Sequence, residues 1–181
     1  ARAAQAVRRA RALVVTAGAG MGVASGLPDF RGPEGFWNAY PPYRDLGLAF
    51  EDLADPRWFE EDPALAWGFY GHRLNLYRRT TPHAGFAALV RWADRCPRGA
   101  FVFTSNVDGQ FQRAGFDPQR IVECHGAIDW VQCTGCDAGV RRGDDVQVEV
   151  DEATFRAREP LPTCACGALL PGRRELLGRL G

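Results

Sequence analysis

Three short apolar runs predict the strands of a buried parallel sheet. They lie in residues 12–17, 100–104 and 120–124, and each is rich in β-branched or aromatic side chains. Apolar runs of this length that end in glycine or polar residues are typical of strands buried on both faces. The residues that follow such strands gather at one edge of the sheet, where α/β proteins place their sites.

Helical periodicity separates these strands. Over residues 62–79 apolar side chains recur at helical spacing, with Asp62 as the N-cap and Pro63 as the first helical residue. Further helices are predicted over residues 83–95 and 3–11. Strand, helix and strand in this order predict an α/β fold. The core-facing positions of the two longer helices are Ala66, Phe69, Tyr70, Leu74 and Tyr77, and Phe86, Leu89, Val90 and Ala93.

The segment over residues 28–62 has no sustained period. It is rich in proline, glycine and aromatic residues. We expect a long functional loop with short helical pieces, of the kind that closes over a ligand.

Composition narrows the class of protein. A length of 181 residues favours one domain, or one domain with a small attachment. Because 22 basic residues balance 22 acidic ones, charge-driven nucleic-acid binding is not expected. No stretch has the roughly 18 apolar residues of a membrane span, and the first residues lack the apolar core of a secretion signal. We therefore expect a cytoplasmic protein with no membrane partner.

Four of the six cysteines form two close pairs. Cys133 and Cys136 make a C-x-x-C pair, and Cys164 and Cys166 make a C-x-C pair, with 27 residues between the two pairs. Four thiolates suffice for a closed, tetrahedral, structural Zn²⁺ site, and paired cysteines suit a reducing compartment. Free thiols or a disulfide are the alternatives.

A glycine-rich turn follows the first predicted strand. Gly18, Ala19 and Gly20 can offer backbone N–H groups to a diphosphate, with a helix N-terminus behind them. Val23 stands where the G-x-G-x-x-G fingerprint has its third glycine, so a plain tight turn is an equal alternative on the glycines alone.

The continuation of this turn resembles a known family. GAGMGVASGLPDFRG is similar to the NAD loop of the sirtuins, G-A-G-I-S-x-x-S-G-I-P-D-F-R-G, and TSNVDG followed by AG resembles their T-Q-N-I-D-G-L-H-x-x-A-G. Ser105, Gln110 and Phe111 depart from the second motif. His125-Gly126 falls where sirtuins carry their catalytic H-G. The resemblance implies a Rossmann-like parallel sheet with a small zinc-ribbon module.

The resemblance also implies an activity, the NAD-dependent removal of acyl groups from protein lysines. Nicotinamide and O-acyl-ADP-ribose are then the products, and an acylated protein or peptide is the partner. His125 is the implied general base on a ribose hydroxyl, with Asn106 as the second catalytic residue. The implied NAD-binding residues are Gly18, Ala19, Gly20, Asp29, Phe30, Arg31, Ser105, Asn106, Asp108 and His125.

A second resemblance concerns the acyl group. Ala54 with the pair Tyr70 and Arg73 resembles the desuccinylase branch of the sirtuins, which accepts succinyl and malonyl groups. A guanidinium and a phenol three residues apart on one helical face can meet one carboxylate. The alternative is a surface arginine and a core tyrosine on an amphipathic helix.

We expect a Rossmann-like NAD-binding part over residues 1–127, with the cofactor loop and a helical insertion. A zinc-binding module follows over 128–171, and then a short tail over 172–181, without the rest of the family's Rossmann domain. Two other functions stay open. One is NAD hydrolysis or ADP-ribosyl transfer on the same scaffold, and the other is a non-catalytic NAD- and zinc-binding module.

Overall fold

The computed structural model describes residues 2–29 and 32–171. Phe30, Arg31 and the predicted tail over residues 172–181 lie outside the described residues. Helices are α1 (Arg2–Arg9), α2 (Gly20–Val23), α3 (Gly32–Ala39), α4 (Pro41–Asp45), α5 (Phe50–Leu53), α6 (Trp58–Glu61), α7 (Pro63–Arg79), α8 (Ala84–Ala93) and α9 (Gln110–Arg113). Strands are β1 (Leu13–Ala17), β2 (Ala100–Thr104), β3 (Ile121–Glu123), β4 (Trp130–Gln132), β5 (Val140–Arg142), β6 (Val150–Asp151) and β7 (Arg156–Ala157).

The three predicted strands form one parallel sheet in the order β1-β2-β3. Leu13 pairs with Ala100, and Val102 pairs with Ile121. Helix α8 covers one face of this sheet, as its periodicity predicts. The core between them contains the buried Phe86, Ala93, Val102, Phe111 and Phe116.

The other face of the sheet is open in the described part of the chain. Val14, Phe101, Phe103 and Val122 alternate with the core-facing positions and are exposed. Parallel sheets are usually covered on both faces.

Within residues 2–29 and 32–171, no helix has both the length and the apolar character needed to cross a membrane.

A second core forms around α7. Pro63 begins this helix, and the Asp62 side chain caps it by accepting from the Leu65 N–H at 3.1 Å. The predicted loop before α7 consists of short helical pieces, as expected, and its aromatic rings Phe36, Tyr40 and Tyr43 are fully buried. They pack against Phe69 of α7, with ring centroids 5.8 to 6.3 Å apart. Aromatic burial therefore gives this segment a fixed shape.

The second core also includes the segment that carries the cysteine pairs. Strands β4 and β5 form one antiparallel pair, and β6 and β7 form another. Buried Val131, Val146 and Val148 belong to the same cluster of buried side chains as Leu74 and Phe69. The helical pieces and the cysteine segment thus share one hydrophobic core, while the sheet and α8 have their own.

Candidate active site

Three loops meet at the carboxyl edge of the sheet. The turn at Gly18 follows β1, the loop at Ser105 follows β2, and the turn at His125 follows β3. The Ser105 N–H donates to the Ala17 carbonyl at 3.1 Å. A β-carbon added at Gly18 would lie 3.5 Å from the Ser105 hydroxyl oxygen. The glycine turn therefore lies directly against the second loop.

A cavity of about 290 Å³ opens between these loops and the helical layer. It brings together six of the residues predicted for NAD or for the acyl group. The sequence does not single out Phe50 and Tyr77, which complete the wall near Arg73. The lining residues are Ala19, Leu27, Pro28, Asp29, Phe50, Glu51, Arg73, Tyr77, Ser105, Asn106, Val107 and Asp108.

A larger cavity of about 1020 Å³ lies between α6 and the cysteine segment. Among the described residues, none of those predicted for NAD or for the acyl group lines it. We therefore place the candidate site in the smaller cavity, because the predicted residues line that cavity and not the larger one.

The Asn106 amide is a buried donor at this cavity. The side chain is 8% exposed, and its Nδ2 has no hydrogen-bond partner among the described residues. Its backbone N–H donates to the Thr104 hydroxyl at 3.0 Å, and that hydroxyl donates to the Ala17 carbonyl at 3.1 Å. The loop is thus tied to β1 while the amide keeps a donor for a ligand. Buried polar groups rarely stay unpaired, so this donor fits a ligand acceptor.

Asp108 lies two residues further along the same loop. Burial raises the pKa of its carboxyl, and the hydrogen bond from the Gln110 N–H opposes that rise. The family departures Gln110 and Phe111 lie next to it but point into the core. Gln110 is fully buried and donates to the Thr80 carbonyl at 3.3 Å. The Phe111 ring packs edge-on against Phe86 at 5.0 Å.

His125 lies in a tight turn at the end of β3. The Gly126 N–H donates to the Glu123 carbonyl at 3.0 Å, and Gly126 has φ +76°, which favours glycine. The imidazole is exposed and does not line the cavity wall. Gly18 and Gly20 are likewise at the same edge but outside the wall. The structure therefore puts His125 on the predicted side of the sheet, and its catalytic role stays a prediction.

Helix α2, behind the glycine turn, has only four residues. So short a helix adds at most a small partial charge, and the role of the turn in binding a diphosphate through its backbone N–H groups stays a prediction.

Arg73 is the acyl residue that reaches the cavity. It is 3% exposed, and its Nε and Nη2 donate to the Tyr77 hydroxyl at 3.1 and 2.9 Å. Its guanidinium lies 5.1 Å from the Phe69 ring centroid. Tyr70 instead stacks on Phe59, with centroids 5.5 Å apart. Neither Tyr70 nor the half-buried Ala54 lines the cavity, so their acyl roles stay predictions.

The four paired cysteines converge on one point. Their sulfur atoms all lie within 4.8 Å of one another, with 3.5 Å between Cys133 and Cys166 and 3.8 Å between Cys136 and Cys164. A tetrahedral Zn²⁺ site with Zn–S bonds of about 2.3 Å requires sulfur separations of about 3.8 Å, whereas a disulfide requires about 2.0 Å. The Gly135 N–H donates to the Cys133 sulfur, and this hydrogen bond, together with smaller contributions from the other three cysteines, lowers the pKa of the Cys133 thiol to about 7. The C-x-C pair therefore completes a donor set that fits structural zinc.

Comparison with known proteins identifies the family. Residues 18–172 match the model of the Sir2 family. An NAD-dependent protein deacylase of Aquifex aeolicus (strain VF5) is 35% identical over 162 residues, covering 88% of this chain and 59% of that protein. NAD-dependent protein deacylase 1 of Archaeoglobus fulgidus is 34% identical over 172 residues, covering 92% of this chain and 60% of that protein.

A solved structure of a Sir2 homologue with NAD has a TM-score of 0.69 and 30% identity to this chain. The match covers 94% of this chain and 59% of the other. The class defined by the fold and the site is thus a Rossmann-like protein with a four-cysteine module. The chain belongs to the Sir2 family, the sirtuins. It spans about 60% of the length of the curated relatives it matches.

Proposed function

We propose that the protein removes acyl groups from protein lysines in an NAD-dependent reaction that releases nicotinamide and O-acyl-ADP-ribose. One observation supports this most. A buried Asn106 amide nitrogen with no hydrogen-bond partner in the described part of the chain and a buried Arg73 guanidinium share one cavity beside the glycine turn. The relatives named NAD-dependent protein deacylase and the homologue bound to NAD support the same activity.

The residues present fit NAD. The turn at Gly18, Ala19 and Gly20 has the backbone donors for the diphosphate, and Asn106 and Asp108 have an amide and a carboxyl for the nicotinamide and the ribose. Asp29 and Ser105 complete that side of the wall. Phe30 and Arg31 remain part of the proposal from sequence alone. When bound, NAD supplies an ADP-ribosyl group with nicotinamide as the leaving group.

His125 is the proposed general base. A neutral imidazole can accept a hydroxyl proton on a ring nitrogen, which contributes roughly 10² to 10⁴ in rate. Its exposed position in the turn after β3 leaves it accessible to a ligand that spans the carboxyl edge.

Nicotinamide release by the intact protein tests this function. We expect release only when both NAD and an acylated peptide are present. His125→Ala should abolish deacylation of the peptide while NAD binding by calorimetry persists, and Cys124→Ala, at the exposed neighbour, should leave both intact. Unchanged turnover in His125→Ala would refute the assignment of the base. No release by the unmodified protein would favour a non-catalytic module.

We infer further that the acyl group carries a carboxylate, as succinyl and malonyl groups do. Arg73 supports this, because a buried guanidinium in a cavity with the Phe50 ring and the Tyr77 hydroxyl suits an anionic end. Arg73→Met should then reduce kcat/KM for a succinyl-lysine peptide at least 100-fold, and for an acetyl-lysine peptide less than fivefold. Equal losses on both peptides would show that Arg73 only supports the fold.

NAD hydrolysis is the competing reaction. Two of the three departures that favour it, Gln110 and Phe111, pack inside the protein, so only Ser105 in the cavity wall still supports it. Release without peptide would favour this reaction.

Fewer observations bear on the cellular location and on the domain boundary. We propose the cytoplasm as the location, because a four-thiolate site suits a reducing compartment. The division of the chain at residue 127 stays a prediction, as do the expected absences of a nucleic-acid partner and of a membrane partner.

A further inference from the structure

The segment between the two cysteine pairs lies along the back of α7. A β-carbon added at Gly68 would lie 1.9 Å from the Phe155 carbonyl oxygen, and one added at Gly71 would lie 2.4 Å from the Val148 side chain. Because neither glycine has a side chain, the segment between the cysteine pairs, residues 137–163, can approach the helix closely at both positions.

Side-chain hydrogen bonds continue this contact toward the end of the helix. Asn75 donates through Nδ2 to the Val148 carbonyl at 2.8 Å. Arg78 donates to the Val146 carbonyl at 2.7 Å and to the Gly143 carbonyl at 2.6 Å. One stripe along α7 contains Gly68, Gly71, Asn75 and Arg78. These residues share a face of the helix because each lies three or four positions after the one before.

Arg73 and Tyr77 occupy the opposite face of the same helix. At about 100° per residue, their mean direction is roughly 160° from that of the stripe. They line the cavity, where Arg73 donates to the Tyr77 hydroxyl. The helix is thus contacted on one face by the segment between the cysteine pairs, and its opposite face lines the cavity.

We propose that residues 143–158 act as a positioning element that fixes Arg73 and Tyr77 against the cavity and so sets the preference for a carboxylate-bearing acyl group. The cysteine cluster anchors both ends of the longer segment to which these residues belong. A shift of α7 along its axis would move the guanidinium relative to the lysine amide. Succinyl and malonyl groups depend on that distance, whereas an acetyl group does not reach the guanidinium. The consequence for acyl choice rests on the proposed function.

Arg78→Met tests the proposal, with Arg79→Met as the matched control. Arg78 holds the segment by donating to two of its carbonyls and also forms an ion pair with Asp129, outside the segment, at 3.4 Å, while Arg79 is exposed at the next position. We expect Arg78→Met to raise KM for a succinyl-lysine peptide about tenfold, with KM for an acetyl-lysine peptide and NAD affinity within twofold. Arg79→Met should change none of these.

A second readout does not depend on activity. The Arg73 Nε–H is buried and hydrogen-bonded, so its hydrogen exchange can be followed by NMR. We expect at least tenfold faster exchange in Arg78→Met and no change in Arg79→Met. If Arg78→Met does not fold, Asn75→Asp takes its place in the test. It replaces the donor by an acceptor of the same shape and should also give at least tenfold faster exchange.

These two readouts separate the possible failures. Unchanged hydrogen exchange of the Arg73 Nε–H in both Arg78→Met and Asn75→Asp would overturn the positioning proposal, whatever the enzymatic activity of these variants. Equal losses on both peptides would reduce the segment to a general structural support. If the unmodified protein releases no nicotinamide, the proposed function fails, and the exchange experiment still decides whether the segment positions Arg73.

Discussion

Glu123 offers a quantitative test of the electrostatics beside the site. It ends β3, two residues before His125, and its half-buried carboxylate accepts from the Gln112 side chain at 2.9 Å. Burial raises the pKa of Glu123 from 4.5 to about 7. The Gln112 hydrogen bond opposes this rise, and the nearby carboxylates of Asp108 and Asp129 add to it. We predict that Glu123→Gln removes a pH-dependent loss of stability.

The direction in which stability changes with pH follows from how tightly Glu123 binds its proton. The folded protein holds this proton more tightly than the unfolded chain does. The stability that Glu123 contributes is therefore fully present below pH 4.5 and is lost as pH rises through about 7. A difference of about 2.5 in pKa corresponds to at most about 3.4 kcal/mol at 1.36 kcal/mol per unit. Because the carboxylate keeps contact with solvent, we discount this to about 1–2 kcal/mol.

Urea unfolding of both proteins between pH 4.5 and pH 8 measures the effect. We expect the free energy of unfolding of Glu123→Gln, relative to the unmodified protein, to increase by about 1–2 kcal/mol over that range. Glu149→Gln, at an exposed ion pair with Arg158, serves as the control. A difference in unfolding free energy between Glu123→Gln and the unmodified protein that does not change with pH would show that the pKa of Glu123 is not raised by folding.

Three further predictions concern the fold that supports the site. Gly68→Ala should destabilise by about 3 kcal/mol in urea unfolding, because the clash with the Phe155 carbonyl outweighs the roughly 1 kcal/mol that alanine gains in a helix. A stabilised variant would contradict that contact. Asp62→Ala should lose about 1–2 kcal/mol, since it removes both the N-cap to Leu65 and an exposed ion pair with Arg156, and no change in the unfolding midpoint would argue against the cap. Treatment with a strong chelator should release about one Zn²⁺ per chain and make four further thiols reactive to a thiol reagent, whereas unchanged thiol reactivity would count against the metal site.

The regular elements were predictable where their patterns were long enough. Helix α7 has 17 residues and α8 has ten, so the helical period is sampled over several turns. The pieces α3 to α6 have four to eight residues each, which is too short to show a period. Their burial is decided by tertiary packing of Phe36, Tyr40 and Tyr43, and sequence pattern alone does not reveal it.

The cavity was partly predictable. Asn106, Asp108 and Arg73 follow from motifs, whereas Phe50 and Tyr77 reach the wall through the packing of α5 against α7. Tyr77 has one visible cue, because it lies four residues after Arg73 and so shares its face. The i, i+3 spacing that suggested Tyr70 applies equally to a core position, and the stacking on Phe59 holds it there.

The role of the segment between the cysteine pairs was hidden in the sequence. Its 27 residues look like a tolerated insertion, because loop length alone says nothing about packing. Gly68 and Gly71, three residues apart inside a predicted helix, were the available cue, since glycines in a helix often mark the close approach of another backbone.

If the proposed function is right, acyl removal and NAD cleavage occur in one site. Nicotinamide and deacylated peptide should therefore be quantified in the same reaction of the intact protein with NAD and a succinyl-lysine peptide. We expect one nicotinamide per deacylated lysine, and neither product when NAD or peptide is left out. Nicotinamide formed without peptide, or deacylation without NAD, would contradict it.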